Sequence, residues 1–210
     1  MKKELTLTGK VHDAILEKVI NAGDATEQML LTERELVEEY GVSKAPVREA
    51  LLRLCSEGVL SSIPRCGYVV TRVGEKTGED NRYVRSILEI TALEDNFDEI
   101  TDENIQRLSD CLKEARETLS TDSDVWTIWD SNADFHCLLI GIKGNVQLVD
   151  HLRKCLDVEK RFMAQNHWRV VKNFKAAYHP EEHEAILDAI RSGNRRMALR
   201  LLKRDISCPV

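Results

Sequence analysis

Residues 42–51, Val42-Ser43-Lys44-Ala45-Pro46-Val47-Arg48-Glu49-Ala50-Leu51, constrain this chain more than any other stretch. Ser43 can cap a helix, because its hydroxyl can accept a hydrogen bond from an otherwise orphan first-turn amide. Pro46 then falls in the first turn, where a missing N–H costs little. Val47, Ala50, Leu51 and Leu54 recur at helical spacing and predict one buried face. Lys44, Arg48 and Arg53 lie off that face. A short helix with a rigid start and outward cations suits a DNA major groove, where Arg and Lys read guanine edges and phosphates.

The flanks fit the same reading. Thr32-Glu33-Arg34-Glu35 is a capping-box pattern that starts a helix with Leu36, Val37 and Tyr40 inside. Gly41 breaks it, which predicts helix, turn, helix. Upstream, Val11, Ile15, Val19 and Ile20 mark a first helix. Downstream, residues 59–63 and 68–73 read as two strands around Pro64-Arg65-Cys66-Gly67, and that hairpin would be a wing. Three short helices and a hairpin each occur in many domains. Their order here is far more specific than any one of them.

These residues resemble the winged helix-turn-helix of the GntR family of bacterial transcription regulators. The resemblance runs through Leu31-Thr32-Glu33-Arg34-Glu35-Leu36, then Tyr40 to Leu51, then Leu54, Glu57-Gly58-Val59-Leu60 and Gly67, and covers about residues 10–73. It implies that Arg34, Lys44 and Arg48, with Ser43 at the helix start, face DNA. It also implies that the wing around Arg65–Gly67 touches the minor groove. Two positions depart from the family pattern. Lys44 stands where arginine is usual, so a bidentate guanine contact becomes a point-charge contact. Glu27-Gln28 replaces the usual Pro-Gly before the second helix.

The 42% hydrophobic content supports a real core, and 210 residues suffice for one large or two small domains. The net charge of −6 argues weakly against nucleic-acid binding, but distribution matters more than the sum. Residues 41–72 hold five cations (Lys44, Arg48, Arg53, Arg65, Arg72) against Glu49 and Glu57, a net of +3. Non-specific DNA affinity should be modest and salt-sensitive. The six cysteines form no C-x-x-C pair, and neither a signal peptide nor an apolar stretch of spanning length is visible. The expectation is a cytoplasmic chain with reduced thiols, no membrane partner, and Cys66 an incidental exposed thiol.

Residues 74–79 are polar and glycine-punctuated and read as a linker between a 1–73 DNA-binding domain and an 80–210 domain. Beyond it only helical periods appear. Helices are expected over about 80–98, after Thr101 (stripe Ile105, Leu108, Leu112, Ala115, Leu119), over 123–142 and 145–166, near 168–176, and after Pro180 and Gly193. Short loops favour antiparallel neighbours. The fold class expected is mainly α: a winged helix-turn-helix followed by an all-α antiparallel helical bundle.

Polar residues interrupt the bundle's apolar stripes. His136 lies among Ile128, Phe135 and Leu139, with Asn132 one turn before it; His183 leads Ile186, Leu187, Ile190; Asp205 ends Ala198, Leu201, Leu202. Two His, one Asp and one Asn converging from three helices suit Zn, Mn, Ni or Fe. A hydrogen-bonded core cluster would satisfy the same pattern. Asp134 is a rival ligand, but positions 134 and 136 diverge by about 200° around a helix.

Residues 80–207 resemble the all-helical FCD effector domain of the fatty-acid-regulator-like GntR subgroup. The matching residues are Arg85-x-x-x-Glu89, Asn132-Ala133-Asp134-Phe135-His136, Gly144-Asn145, and Glu182-His183-x-x-Ile186-Leu187-x-Ala189-Ile190-x-x-Gly193-Asn194. The resemblance implies a divalent metal held through Asp-x-x-x-His on one helix and one His on each of the last two. Here Asn132 takes the aspartate position and Asp205 the last histidine position, so the carboxylate is moved rather than lost. The implied ligand set is Asn132, His136, His183 and Asp205, with Zn, Ni or Mn as the metal; a metal-free pocket that binds its effector directly is the other form. The resemblance also implies that Arg85 anchors an effector carboxylate. On periodicity, Arg85 equally fits an i,i+4 ion pair with Glu89 on a solvated face. The function expected is a homodimeric regulator that binds a palindromic operator on double-stranded DNA, senses a small carboxylate and catalyses nothing. The competing expectation is a metal-dependent enzyme using His136, His183 and Asp205, which lacks a separate base or nucleophile.

Overall fold

The computed structural model describes residues 6–23, 29–121, 125–167 and 180–207. The chain divides into two units, Met1–Gly74 with Arg161–Trp168, and Glu75–Lys160 with Arg169–Val210. Glu27-Gln28, the expected helix at 168–176 and Cys208 lie outside the described residues.

In the first unit, α1 (Leu7–Asn21) is capped by Thr6, whose hydroxyl accepts from Gly9 N. α2 (Glu33–Tyr40) is capped by Thr32, which accepts from Glu35 N at 3.2 Å and donates its hydroxyl to the Glu35 carboxylate at 2.7 Å. Gly41 ends α2 with φ +63, a left-handed turn that glycine adopts without strain. α3 (Lys44–Ser56) follows two residues later. Ser43 sits at its N-cap with extended backbone, yet its side chain makes no capping hydrogen bond, contrary to expectation. The reason is in the sequence: a cap oxygen takes the second or third helical N–H, and the third position is Pro46, which has none. The buried face is Val47, Ala50, Leu51 and Leu54, each 0% exposed, packed against Ile15, Val19 and Leu36. Each large aliphatic side chain there contributes roughly 1.5–3 kcal/mol.

A three-stranded antiparallel sheet completes this unit, with β2 (Leu60–Ile63) and β3 (Gly67–Val70) forming the wing. β1 (Leu30–Leu31) was not anticipated; it pairs Leu31 with Tyr68, and two residues are too few to show alternation. Gly67 has φ +140, and a Cβ there would meet Leu31 O at 2.5 Å. The close approach of β1 therefore requires glycine. Arg65, at the turn, has φ +66. Gln165 accepts from Val73 N and Arg161 donates to Gly58 O, so these two side chains satisfy backbone groups within this unit.

In the second unit, α4 (Glu75–Asn96) begins five residues before the expected start at 80. The expected linker is therefore mostly helical. Lys76 and Asp80 pair at i,i+4, which supports the first turns, and one glycine at position 78 costs only about 1 kcal/mol. α5 (Asp102–Ser120) opens on a complete capping box: Asn104 N donates to the Thr101 hydroxyl and Thr101 N to the Asn104 amide oxygen. α6 (Val125–Ile140), α7 (Val146–Asn166, of which this unit includes the part up to Lys160), α8 (Pro180–Arg191) and α9 (Arg195–Ser207) complete the bundle. α8 packs on α5 and α9, α6 on α5, and α4 on α6 and α9. Leu93, Leu108, Phe135, Leu139, Ile186 and Leu202 form the centre of its core. Among the described residues no helix is long and apolar enough to cross a membrane.

Candidate DNA interface and metal centre

The apolar side of α3 is consumed by the core, so its opposite side is left to solvent. Lys44 and Arg48, one turn apart, are 71% and 66% exposed at their side chains. Arg34, Ser43 and Arg65 are exposed as well, and Gly67 is half-buried beside Leu31. Sequence reasoning missed one member of this face. Glu33, at the start of α2, places Oε2 3.0 Å from Lys44 Nζ and Oε1 4.0 Å from Arg48 Nε. Its position in the capping pattern drew attention to Thr32 and Glu35 and away from the acid between them.

In the bundle, α6, α8 and α9 bring His136, His183 and Asp205 together. Their donor atoms all lie within 4.8 Å of one another. Asp205 Oδ2 is 3.2 Å from His136 Nε2, and Oδ1 is 3.3 Å from His183 Nε2. Two ligands on a tetrahedral Zn²⁺ at about 2.0–2.1 Å stand roughly 3.3 Å apart, so both edges already match a metal polyhedron. His136 Nδ1 lies 2.6 Å from Glu89 Oε2 on α4. That partner points Nε2 into the cluster. Although Nε2 is within ion-pair distance of Asp205, it lacks hydrogen-bond geometry and is a buried nitrogen without a hydrogen-bonded partner. The residues present thus fit a divalent cation. Phe135 stacks on the His183 ring at 4.2 Å and walls the cluster on that side.

The charges are distributed unevenly. Burial disfavours a charged His136, but the Glu89 carboxylate, helped by Asp205, outweighs it and raises its pKa to about 9. Burial lowers the pKa of His183, so the cluster's proton resides on His136. Burial pushes the Asp205 carboxyl up, but both histidines outweigh it and hold the group well below the usual carboxylate range. Glu89 is lowered in the same way by Arg85 and His136.

Arg85 does not lie on a solvated face. It is 5% exposed and donates from Nε to Glu89 and from Nη1 to Glu159 on α7, the latter at 2.7 Å. The i,i+4 pair with Glu89 is therefore present but buried. Burial acts to discharge the guanidinium, and the two carboxylates reverse this and keep it ionised. Both are protein groups, so the structure presents Arg85 as a counterion inside the bundle. Glu159 carries no motif that could have been read beforehand. Asn132 is half-buried one turn before His136; Asp134 is exposed and pairs with Arg153 at 3.3 Å. Cys66 is exposed at the wing turn.

Residues 7–70 match the family model of bacterial regulatory proteins of the gntR family, and residues 82–207 match that of the FCD domain. An uncharacterized HTH-type transcriptional regulator of Bacillus subtilis, YdhC, is 26% identical over 87% of this chain and 80% of its own length. The Uxu operon regulator of Haemophilus influenzae is 28% identical over 79% of this chain and 66% of its own length. The solved structure of Escherichia coli McbR/YncC superposes with a TM-score of 0.75 at 22% identity, covering 97% of this chain and 94% of that one, a likeness of fold.

Proposed function

The chain belongs to the GntR family of bacterial regulatory proteins and carries an FCD domain, and from this premise we propose a dimeric cytoplasmic regulator whose bundle senses a small carboxylate at a metal centre. As a member of that family it is a DNA-binding transcription regulator rather than an enzyme. Arg48 reads a guanine edge, Lys44 supplies a point charge beside it, and Arg34 and Ser43 contact the backbone. Arg65, beside Gly67 at the wing turn, reaches for the minor groove. Two-fold pairing would set two such units on an inverted repeat about 34 Å apart. The apolar stripe Tyr83, Val84 and Ile87 on α4, exposed at 69%, 46% and 48%, supports pairing through the bundle.

One observation supports the sensor reading: His136, His183 and Asp205 converge from three helices, with the Nε2 of His136 3.2 Å from Asp205 Oδ2 but without a hydrogen bond. Zn, Ni or Mn bound there would supply positive charge and open coordination positions to an effector carboxylate. His136, His183 and Asp205 would hold it, and Asn132 would add a neutral carbonyl oxygen at most. Arg85 acts through Glu89, which fixes His136, rather than on the effector itself. A metal-free pocket is the second reading, favoured by the proton that already balances His136 between Glu89 and Asp205.

Elemental analysis of protein purified without a His tag separates the two readings, followed by melting with Zn²⁺, Ni²⁺ or Mn²⁺ added. Bound metal and a rise in Tm that His183→Ala abolishes are expected, since a ligand of the folded state stabilises it. No metal and no shift in wild type, with a shift appearing in Asn132→Asp combined with Asp205→His, would establish the metal-free reading.

A further inference from the structure

The cations that face DNA are not free in this structure. Glu33 holds both. Its carboxylate is 24% exposed, far less than the side chains it faces, and it sits in the first turn of α2, where the helix dipole favours an ionised acid. Oε2 takes Lys44 Nζ and Oε1 faces Arg48 Nε, and these two cations are i,i+4 neighbours on α3. Tyr68 of β3 lies against the same group. Burial raises its phenol's pKa, and the Glu33 carboxylate raises it further. One acid therefore touches the scaffold helix, the recognition helix and the wing strand. By contrast Arg34, the next residue, is exposed and has no ion pair among the described residues.

We propose that Glu33 is a specificity-determining positioning residue: it holds Lys44 and Arg48 on the DNA face of α3 and makes their engagement depend on what the DNA offers. The geometry at Arg48 gives the reason. Its nitrogen nearest Glu33 is Nε. The two terminal nitrogens, which form the fork that pairs with guanine O6 and N7, are not the atoms nearest Glu33. A guanine edge can thus be read while Glu33 steadies the guanidinium. A phosphate is a different competitor. It must draw Lys44 or Arg48 away from a carboxylate of like charge, which lowers the return from any sequence-independent contact. Glu33 weakens binding to arbitrary DNA more than binding to the operator. This inference rests on α3 facing DNA, which the selection step below tests by itself.

The experiment uses full-length protein and duplexes that the wild type selects from a random pool, with scrambled versions as competitors, titrated over a range of KCl. Failure to enrich any sequence would count against the DNA-facing reading of α3, not against the role of Glu33 within it. With an enriched site in hand, Glu33→Gln should tighten binding to scrambled duplex and lower the ratio of specific to non-specific affinity by about 10-fold. Its log K against log salt plot should steepen by about 0.9 for each further phosphate neutralised. Glu33→Asp, which keeps the charge on a shorter arm, should restore part of the ratio. Glu35→Gln alters the neighbouring cap acid and should change stability without changing ratio or slope. An unchanged ratio and slope in Glu33→Gln would overturn the proposal. So would an equal loss of both affinities with a lowered Tm, which would show a folding role only.

Discussion

Glu89 Oε2 lies 2.6 Å from His136 Nδ1, with both side chains at 0% exposure. Each residue answers a need of the other. The carboxylate is buried and requires a donor and a counter-charge; the imidazole requires a fixed tautomer if its Nε2 is to face Asp205. Arg85 supplies the second counter-charge from the next turn of α4 and shares itself with Glu159. The result is a buried chain of alternating charge from α7 through α4 and α6 to α9. Removing one member leaves its partners uncompensated in a low dielectric.

Glu89→Gln should therefore destabilise the metal-free protein by about 3–5 kcal/mol, the range for breaking a buried ion pair by deleting one side. Chemical denaturation followed by circular dichroism measures it. A loss under about 1 kcal/mol, within the range of exposed pairs, would show that water reaches this chain of charges.

The same pair sets a pH dependence. His136 has an ordinary pKa of 6.5 when unfolded and about 9 when folded. A raised folded pKa contributes stability that is complete below the unfolded value and is lost as pH rises through the folded one. Chelator-treated protein should thus melt progressively lower between pH 6.5 and 9. Metal must displace the His136 proton, so the rise in Tm on adding metal should grow over the same interval. Differential scanning calorimetry across that range tests both signs. A flat or rising Tm for the metal-free protein would contradict the assignment of the proton to His136.

On the exposed side of α3, Arg48→Ala should cost about 1–3 kcal/mol of specific binding and relax base preference at one position per half-site. Gel-shift titration against selected and scrambled duplex reads the ratio. An unchanged ratio would remove Arg48 from base readout.

Periodicity exposed the elements that bury one face. Val47, Ala50, Leu51 and Leu54 predicted α3, and Leu108, Leu112 and Ala115 predicted α5, because a helix packed on one side must repeat its apolar residues every turn. It failed where a structural cause is not periodic. β1 is two residues held by the register of Tyr68, and α4 runs through Gly78, a residue that reads as a break. His136, His183 and Asp205 stood out as polar residues on apolar stripes, a local anomaly that needs only one helix at a time. Glu159 and Glu33 did not stand out. Their partners are 74 residues away on Arg85 and on a different helix at Lys44, and an acid on a helix surface looks the same whether or not a cation meets it in three dimensions.

The apolar stripe on α4 leads to the last prediction. Tyr83, Val84 and Ile87 fall within two turns, and Tyr83 and Ile87 are i,i+4 neighbours on one side of the helix. The opposite side is committed: Arg85, Glu89, Ala92 and Leu93 are buried in the bundle. A helix whose charged residues are inside and whose aromatic and aliphatic residues are outside has its pattern inverted over this segment. Covering that stripe with a second copy of itself is the arrangement a two-fold dimer provides, because the same patch then serves both partners. Ile87→Glu should place two like charges across the axis and desolvate both. The variant should sediment as a monomer at the micromolar concentration at which wild type should sediment as a dimer. It should stay folded, since the position is 48% exposed, with a Tm lowered by no more than the loss of dimerisation accounts for, and lose affinity for a full inverted repeat while keeping the affinity of one unit for one half-site. A dimer that persists in Ile87→Glu and in Tyr83→Glu would place the two-fold axis on another face.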